Sequence, residues 1–366
     1  MNETPLEKII KQQIRQNGPM NLAEYMGLCL GHPEHGYYMT RDPFGAAGDF
    51  TTAPEMSQMF GELIGAWLAD AWIKMGSPDK FALLELGAGR GTLMQDALRA
   101  TKGVKGFHEA MQLHLLEMSP VLRSAQEERL AGYDANWHMT LESIRVDSPV
   151  LVIGNEFLDA LPVRQLILRD TGWFEKVVNI NINDTIRLYE VKADEAVKQL
   201  LPPLLIPPKI GDQVEVSLQV ECIMKELMNI VLKQGGGTLF IDYGFNHSVS
   251  GDTLQAVKEH SYCGLLDSPG QADITAHVNF ATISRLAMEE KLTVHGPVSQ
   301  GDFLNRLGIG IRAANLHQNA TQDQRREIDA AVKRLTGKNT KDGEMGELFK
   351  VIAFSSSAEI ELAGFA

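Results

Sequence analysis

The chain has 366 residues, three cysteines and a formal net charge of −13. This length suffices for one large α/β domain with additions, or for two domains. The negative charge argues against broad electrostatic binding to nucleic acid or anionic lipid, although a local basic patch would still permit RNA binding. A basic peptide or protein suits the charge better. No apolar run approaches membrane-spanning length, so membrane insertion is not expected.

The first eight residues form neither an apolar signal sequence nor an arginine-rich transit peptide. The cysteines are far apart and odd in number, which predicts a reducing compartment rather than a disulfide framework. His32 and His35 flank glycines, but no nearby cluster completes a metal site, so no metal is predicted. We expect a soluble protein of the cytoplasm.

The N-terminal part of the chain predicts helices joined by a glycine-rich loop. Residues 6–16 and 21–30 have helical patterns with start and stop signals. Residues 31–55 form a long loop rich in glycine and aromatic residues, and such loops often act as lids or binding loops. Residues 56–75 then predict a long amphipathic helix, whose apolar positions are more typical of packing than of cofactor contact.

An apolar strand next runs into a glycine-rich turn: Leu83-Leu84-Glu85-Leu86-Gly87-Ala88-Gly89-Arg90-Gly91-Thr92-Leu93. Strand, turn and the following helix, to about residue 100, are typical of a nucleotide-binding α/β unit. Glu85 at the strand end would repel a pyrophosphate but suits a cation. S-adenosylmethionine carries a cationic amino group and a sulfonium and no phosphate, so we predict it as the cofactor. A purely structural turn is the alternative, because GxGxG alone is a weak signal.

A second acidic residue ends the next predicted strand. Residues 111–117 are rich in apolar side chains and finish at Glu117. A carboxylate at this position can accept hydrogen bonds from both ribose hydroxyls. The alternative is a solvated charge at a strand end. Two acidic residues placed this way in one β-α-β unit make coincidence less plausible.

Residues 150–154 predict a buried strand that leads directly into Asn155 and Glu156. Methyl transfer is an in-line displacement, so the enzyme must hold the acceptor atom close to the methyl group and aligned with the breaking bond. Glu156 could bind a guanidinium in bidentate fashion, or hold a lysine or an amide. Asp159 could supply a second acid. Alternatively, Asn155 could cap a following helix and Asp159 could be a solvated charge.

The remaining segments complete an alternating pattern. Residues 165–191 predict a meander added to the main sheet, and residues 201–208 resemble a linker. A helix is predicted over residues 220–234, and strands over 238–244 and 347–354. Strands that alternate with helices predict a doubly wound, mostly parallel sheet whose ligand binds beyond the carboxyl ends of the strands.

His277 is a further candidate, because a histidine near acidic groups could relay a proton, although lone histidines are more often structural. The sequence contains neither Gly-x-Ser-x-Gly nor GxxxxGK[ST]. These absences argue against a hydrolase nucleophile elbow and a P-loop.

Several motifs occur in a characteristic order along almost the whole chain: Gly31-His32-Pro33, Gly36-Tyr37-Tyr38, Gly48-Asp49-Phe50-Thr51-Thr52-Ala53-Pro54-Glu55, the Glu85 to Met94 turn, Glu117-Met118-Ser119-Pro120, Asn155-Glu156-Phe157-Leu158-Asp159-Ala160-Leu161-Pro162 and Ile241-Asp242-Tyr243-Gly244. Together they resemble the MidA-like class I methyltransferases, relatives of the mitochondrial complex I assembly factor that methylates an arginine. The differences are small: Asn279 and Ser299 stand where aspartate and threonine would be expected.

The resemblance implies a Rossmann-like class I methyltransferase fold with an N-terminal helical lid and a β-rich insertion. The corresponding domains are residues 1–76, with the cofactor-covering loop, and residues 77–366, with the insertion at about 165–219. The predicted cofactor-binding residues are Gly48, Asp49, Phe50, Thr51, Pro54, Glu85, Gly87, Gly89, Gly91, Glu117, Met118 and Asn155. The predicted catalytic residues are Glu156, at the position of a guanidinium-binding glutamate, Asp159 and His277.

The resemblance also implies a protein arginine methyltransferase that uses S-adenosylmethionine and acts on a complex I subunit during assembly. Two other functions compete with this one. One is a methyltransferase acting on a small molecule or RNA, and the other is a non-catalytic assembly chaperone that keeps the cofactor site. A nicotinamide enzyme is a more distant alternative. The sequence leaves both a monomer and a homodimer open.

Overall fold

The computed structural model describes residues 3–43, 52–203, 207–247 and 251–365. The predicted cofactor residues Gly48, Asp49, Phe50 and Thr51 lie outside these ranges. The chain divides into two compact units. The first unit is Met1–Phe50, Leu158–Ile223 and His247–Thr282, and the second unit is Thr51–Phe157, Met224–Asn246 and Ile283–Ala366. The N-terminal helices thus group with the inserted segment, whereas the domain boundary at residues 76/77 stays a prediction.

Helices and strands alternate through most of the described chain. The helices are α1 (Pro5–Asn17), α2 (Leu22–Gly31), α3 (Tyr37–Thr40), α4 (Ala53–Met56), α5 (Gln58–Lys74), α6 (Thr92–Thr101), α7 (Phe107–Ala110), α8 (Pro120–Arg129), α9 (Glu195–Lys198), α10 (Leu218–Gln234), α11 (Phe280–Glu289), α12 (Gln300–Arg306), α13 (Ile309–His317) and α14 (Gln322–Thr336). The strands are β1 (Met20–Asn21), β2 (Phe81–Leu86), β3 (Met111–Leu116), β4 (Ala135–His138), β5 (Val150–Asn155), β6 (Arg164–Arg169), β7 (Gly172–Ile180), β8 (Ile186–Lys192), β9 (Gln213–Val216), β10 (Gly236–Phe245), β11 (Gln255–Lys258), β12 (Ser261–Cys263), β13 (Asp273–Thr275), β14 (Val278–Asn279), β15 (Thr293–Ser299) and β16 (Phe349–Ser355).

The helix starts follow local capping chemistry. The Thr4 side chain accepts from the backbone N–H of Glu7 at the start of α1. Asn21 and Glu24 form a complete capping box at the start of α2. Ser57 has an extended backbone and caps α5, so the helix predicted over residues 56–75 is the short α4 followed by α5. Because such caps are local, the helices that were predicted from sequence lie within a few residues of their observed bounds.

The second unit is built on one mixed sheet with strand order β15-β16-β10-β5-β2-β3-β4. The strands from β10 to β4 are parallel, and β16 runs antiparallel to both β10 and β15. Strands β2 and β5 are buried almost throughout, as both faces of a parallel sheet require. This is the predicted doubly wound sheet, and its parallel strands end at one common edge.

The first unit contains two smaller sheets. Strands β1, β7, β6 and β9 lie in that order, with β8 paired to β7, and β12, β11 and β13 form a three-stranded sheet. The prediction that residues 165–191 extend the main sheet is wrong, because β6 to β8 pair with one another and with β1 and β9. Their apolar faces pack in local cores, one of which includes Leu6, Tyr25 and Val178. None of the helices in the described ranges has the length and hydropathy needed to cross a bilayer.

Candidate functional site

Three glycines shape the turn between β2 and α6. The φ angles of Gly87, Gly89 and Gly91 are +62°, +54° and +78°, and residues other than glycine rarely adopt such values. A Cβ atom on Gly87 would also lie 2.8 Å from the Phe157 ring. The turn brings backbone groups and the first N–H groups of α6 to the carboxyl edge of the sheet. Such an edge is suited to close contact with a bound nucleoside.

Glu85 lies next to this turn and is 3% exposed. Its Oε2 atom is buried and has no hydrogen-bond partner among the described residues. Burial, and secondly the nearby charge of Glu117, raise the pKa of Glu85 to about 8. A buried carboxyl oxygen without a hydrogen-bond partner lowers the stability of the fold, and a bound cation would favour the charged form of Glu85. The amino group of S-adenosylmethionine fits this requirement.

Glu117 follows the end of β3 and is held by local hydrogen bonds. Its Oε1 accepts from the Ser119 backbone N–H at 2.8 Å, and its Oε2 accepts from Gln126 Nε2 at 3.0 Å. Burial raises the pKa of Glu117 to about 6, and these two hydrogen bonds act in the opposite direction. Glu117 is therefore mostly ionised at pH 7, in a form that can accept hydrogen bonds from hydroxyl groups. The neighbouring Met118 is 53% exposed.

Asn155 and Glu156 lie at the carboxyl end of β5. The Asn155 Nδ2 and the Ala53 backbone N–H both donate to Glu156 Oε1, each at 3.2 Å. Asn155 Oδ1 is buried and has no hydrogen-bond partner in the described part of the chain. Glu156 has a φ of +50°, an uncommon backbone conformation that often marks functional sites. The described residues 156–163, which directly follow Asn155, contain no helix, so the alternative that Asn155 caps one is wrong.

Asp242 supports this turn from the neighbouring strand β10. It is almost fully buried, its Oδ2 accepts from the Phe157 backbone N–H at 3.1 Å, and its Oδ1 accepts from its neighbour Tyr243 at 3.0 Å. The sequence placed Asp242 in the strand predicted over residues 238–244 and in one of the family motifs, without assigning it a role. Its carboxylate fixes the backbone directly after Glu156.

A polar cluster that sequence analysis missed joins α4 to the glycine turn. The Thr92 hydroxyl donates to the Glu55 carboxylate and accepts from Arg129, and Arg90 lies 3.9 Å from Glu55. Pro54, a predicted cofactor residue, is buried beside Glu55 in α4. These partners are widely separated in sequence, so no local pattern could reveal the cluster.

Asp159 and His277 belong to the first unit, where one backbone bond brings them together. The Ala276 N–H donates to the Asp159 carbonyl oxygen at 3.0 Å. Asp159 is buried, so the alternative of a solvated charge is wrong. Burial lowers the pKa of His277, which keeps the imidazole neutral at pH 7. His277 lines a cleft of this unit together with Leu158, Val163, Glu215, Val216 and Glu221.

A doubly wound sheet with a glycine turn after β2 and acidic residues at the ends of β2 and β3 defines a class I methyltransferase. The family model of S-adenosyl-L-methionine-dependent methyltransferases matches residues 63–298, and the chain belongs to this family. The predicted family, fold class, cofactor and enzyme class are thereby confirmed.

Relatives and a solved structure are similar over nearly the full chain. The protein arginine methyltransferase NDUFAF7 homolog of Drosophila melanogaster is 36% identical, over 95% of this chain and 84% of its own. The protein arginine methyltransferase NDUFAF7 of Danio rerio is 31% identical, over 96% of this chain and 87% of its own. A methyltransferase structure from Burkholderia thailandensis with bound S-adenosyl-homocysteine has a TM-score of 0.83 and 28% sequence identity. The match covers 97% of this chain and 92% of that one.

Proposed function

We propose that this methyltransferase transfers its methyl group to an arginine side chain of a protein substrate. The names of the curated relatives, protein arginine methyltransferase NDUFAF7, support this acceptor. The structural observation that carries the proposal is Glu156, which directly follows β5 in a left-handed conformation. Its carboxylate accepts hydrogen bonds from Ala53 and Asn155. The family resemblance extends the proposal to a complex I subunit as the substrate.

Within this proposal, the cofactor-binding residues act as follows. Glu85 pairs with the amino group of S-adenosylmethionine, the turn of Gly87, Gly89 and Gly91 receives the nucleoside closely, and Glu117 accepts from the ribose hydroxyls. Met118, Asn155 and Pro54 belong to the same proposed set, as does the loop from Gly48 to Thr51. The cofactor supplies an electrophilic methyl group bonded to a sulfonium.

Glu156 is the proposed acceptor-binding residue. Its carboxylate binds the guanidinium of an arginine and orients one nitrogen for in-line displacement. A nitrogen–carbon bond forms, the carbon–sulfur bond breaks, its electron pair stays on sulfur, and the methylated guanidinium loses one proton. Asp159 and His277 are the other proposed catalytic residues, and an imidazole that is neutral at pH 7 can act as a general base.

Labelled S-adenosylmethionine tests this function directly. The purified protein is incubated with protein extract from its source organism lacking the gene, and methylated residues are mapped by mass spectrometry. Methylarginine that appears only with active enzyme supports the proposal, and a complex I subunit among the products supports its extension. Label in RNA, in metabolites or on other side chains would contradict it. Retained cofactor binding without any transfer would favour the chaperone alternative.

The variant Glu156→Gln isolates the charge of the proposed acceptor site. The amide oxygen can still accept from the Ala53 N–H, but it cannot form an ion pair with a guanidinium. We expect transfer to fall by about 100-fold or more while affinity for S-adenosyl-homocysteine changes less than about threefold. An equal loss of cofactor affinity would indicate that Glu156 serves the cofactor site instead.

Localisation and assembly state also remain proposals. We propose a bacterial cytoplasmic protein, with the mitochondrial matrix as the alternative that the named mitochondrial relatives favour. The division into domains of residues 1–76 and 77–366 is likewise a proposal. Size-exclusion chromatography with light scattering distinguishes a monomer from a homodimer.

A further inference from the structure

Gln126 connects three parts of the second unit through one buried side chain. It lies on α8 and is 0% exposed. Its Nε2 donates to the Gly89 carbonyl oxygen at 2.8 Å and to Glu117 Oε2 at 3.0 Å. Its Oε1 accepts from the Trp137 indole nitrogen at 3.0 Å. The glycine turn, the end of β3 and strand β4 therefore meet at a single amide.

The chemistry of the partners fixes the orientation of this amide. The Trp137 indole N–H can only donate, so the carboxamide oxygen must face it. The NH₂ group then faces two acceptors, the Gly89 carbonyl and the Glu117 carboxylate, and each of its two protons has a partner. A glutamate at position 126 could not donate to either acceptor. An apolar side chain would leave all three partners without this contact.

We propose that Gln126 is a positioning residue of the cofactor site, which holds the Glu117 carboxylate and the Gly89 carbonyl in fixed relation to each other. This inference rests on the proposed role of Glu117 toward the ribose. Gln126 acts through Glu117 and the glycine turn rather than on the ligand itself.

The position of the amide has an electrostatic consequence for Glu117. Its hydrogen bond lowers the pKa of this buried carboxyl group, against the effect of burial. Without it, the pKa of Glu117 would rise from about 6 toward neutrality, and part of the population would be protonated at pH 7. Glu85 is a neighbouring carboxyl group whose pKa is raised by the charge of Glu117, and it remains unchanged in such a variant.

Calorimetric titration with S-adenosyl-homocysteine between about pH 6 and pH 9 tests the inference, with Gln126→Met as the main variant. We expect its affinity to be about 10- to 100-fold below wild type near pH 6–7, because a hydrogen bond to a charged group is lost. The ratio of variant to wild-type dissociation constants should shrink toward pH 9, where Glu117 ionises in both proteins. A ratio independent of pH, or unchanged affinity, would overturn the inference.

Matched variants separate positioning from loss of stability. Gln300 is an equally buried glutamine of the second unit that donates to the Leu335 carbonyl oxygen. Gln300→Met should lower thermal stability while leaving affinity and its pH dependence unchanged. If Gln126→Met does not fold, Trp137→Phe removes the indole donor and keeps an aromatic ring at this position. A change in the pH dependence of binding is again expected, and its absence would contradict the inference.

The proposed role of Glu117 is tested separately by Glu117→Gln. If this variant binds S-adenosyl-homocysteine as tightly as wild type, the proposed role of Glu117 toward the ribose is wrong. If it binds weakly while Gln126→Met binds normally, the positioning role alone fails. In the Glu117→Gln background, adding Gln126→Met should no longer alter the pH dependence, because residue 117 has no group left to titrate.

Discussion

Glu85 and Glu117 lie at the ends of neighbouring strands, and their surroundings give these two carboxyl groups different properties. Glu117 accepts hydrogen bonds from Ser119 and Gln126, and its pKa is raised only to about 6. Glu85 is more deeply buried, its Oε2 has no partner among the described residues, and its pKa is raised to about 8. At pH 7 one group is mostly charged and the other mostly protonated, so a bound cation would change the state of Glu85 in particular.

Glu85→Gln is expected to stabilise the ligand-free protein at high pH. The pKa of Glu85 is about 8 in the folded state and near 4.5 in the unfolded chain, so the folded state binds more protons between these values. Stability is therefore lost as the pH rises through this window. The variant lacks this loss, so its free energy of unfolding should exceed that of wild type by a few kcal/mol near pH 9. Urea unfolding measures this difference. Exposed Glu359→Gln is the control, and equal pH dependence in wild type and Glu85→Gln would contradict the expectation.

Cofactor binding should release a proton from Glu85 at pH 7. A bound ammonium group favours the ionised carboxylate, so the pKa of Glu85 falls on binding. Calorimetric titration with S-adenosyl-homocysteine in buffers of different ionisation enthalpy measures this release, which we expect to approach one proton. The Glu85→Gln variant should release almost none and should bind at least about tenfold more weakly. Equal proton release by both proteins would assign it to another group.

Helices α5 and α6 illustrate how elements pack more closely than an amphipathic pattern indicates. Gly61 and Gly65 lie one turn apart on α5 and face α6. A Cβ on Gly65 would lie 2.5 Å from the Ala97 carbonyl oxygen, and one on Gly61 would lie 2.6 Å from Asp96 Cβ. The two helices therefore approach at backbone distance behind the glycine turn, which α6 follows directly.

Gly65→Ala should destabilise the protein although alanine is the better helix former. Alanine favours a helix by about 1 kcal/mol over glycine, but overpacking against rigid backbone costs about 1–3 kcal/mol or more. We expect a net loss of about 1–2 kcal/mol in urea unfolding. Gly310→Ala on helix α13 is a matched control, since a Cβ there meets nothing within 4 Å. A stabilised Gly65→Ala variant would show that α5 and α6 are separated more widely than the structure indicates.

At the scale of the whole molecule, the chain passes repeatedly between two compact units. One crossing falls between Phe157 and Leu158, directly after the proposed acceptor residue Glu156. Glu156 therefore belongs to the second unit, while Asp159, only three residues later, belongs to the first. Residues close in the sequence are thus distributed over two separately packed parts of the molecule.

S-adenosyl-homocysteine should stabilise the whole protein against heat, whereas NAD should not. Ligand at about 100 times its dissociation constant contributes about 2.7 kcal/mol, which corresponds to a rise of a few degrees in Tm. Thermal unfolding with each ligand measures this effect, and Glu117→Ala should abolish most of it. Hydrogen exchange should locate the protection at the glycine turn and the end of β3. Stabilisation by NAD alone would contradict the cofactor assignment.

The sequence by itself determined the β-α-β unit, the positions of helices α1, α2, α5, α6 and α10, and the placement of Glu85 and Glu117 at strand ends. Each of these depends on local signals, namely hydrophobic periodicity, capping residues and glycines at a tight turn. The tertiary structure alone decided that residues 165–191 pair within a separate sheet, since an alternating pattern predicts a strand but does not specify its partner. It also decided the Gln126 contacts and the pKa of Glu85, because these depend on groups distant in sequence and on the exclusion of water by packing.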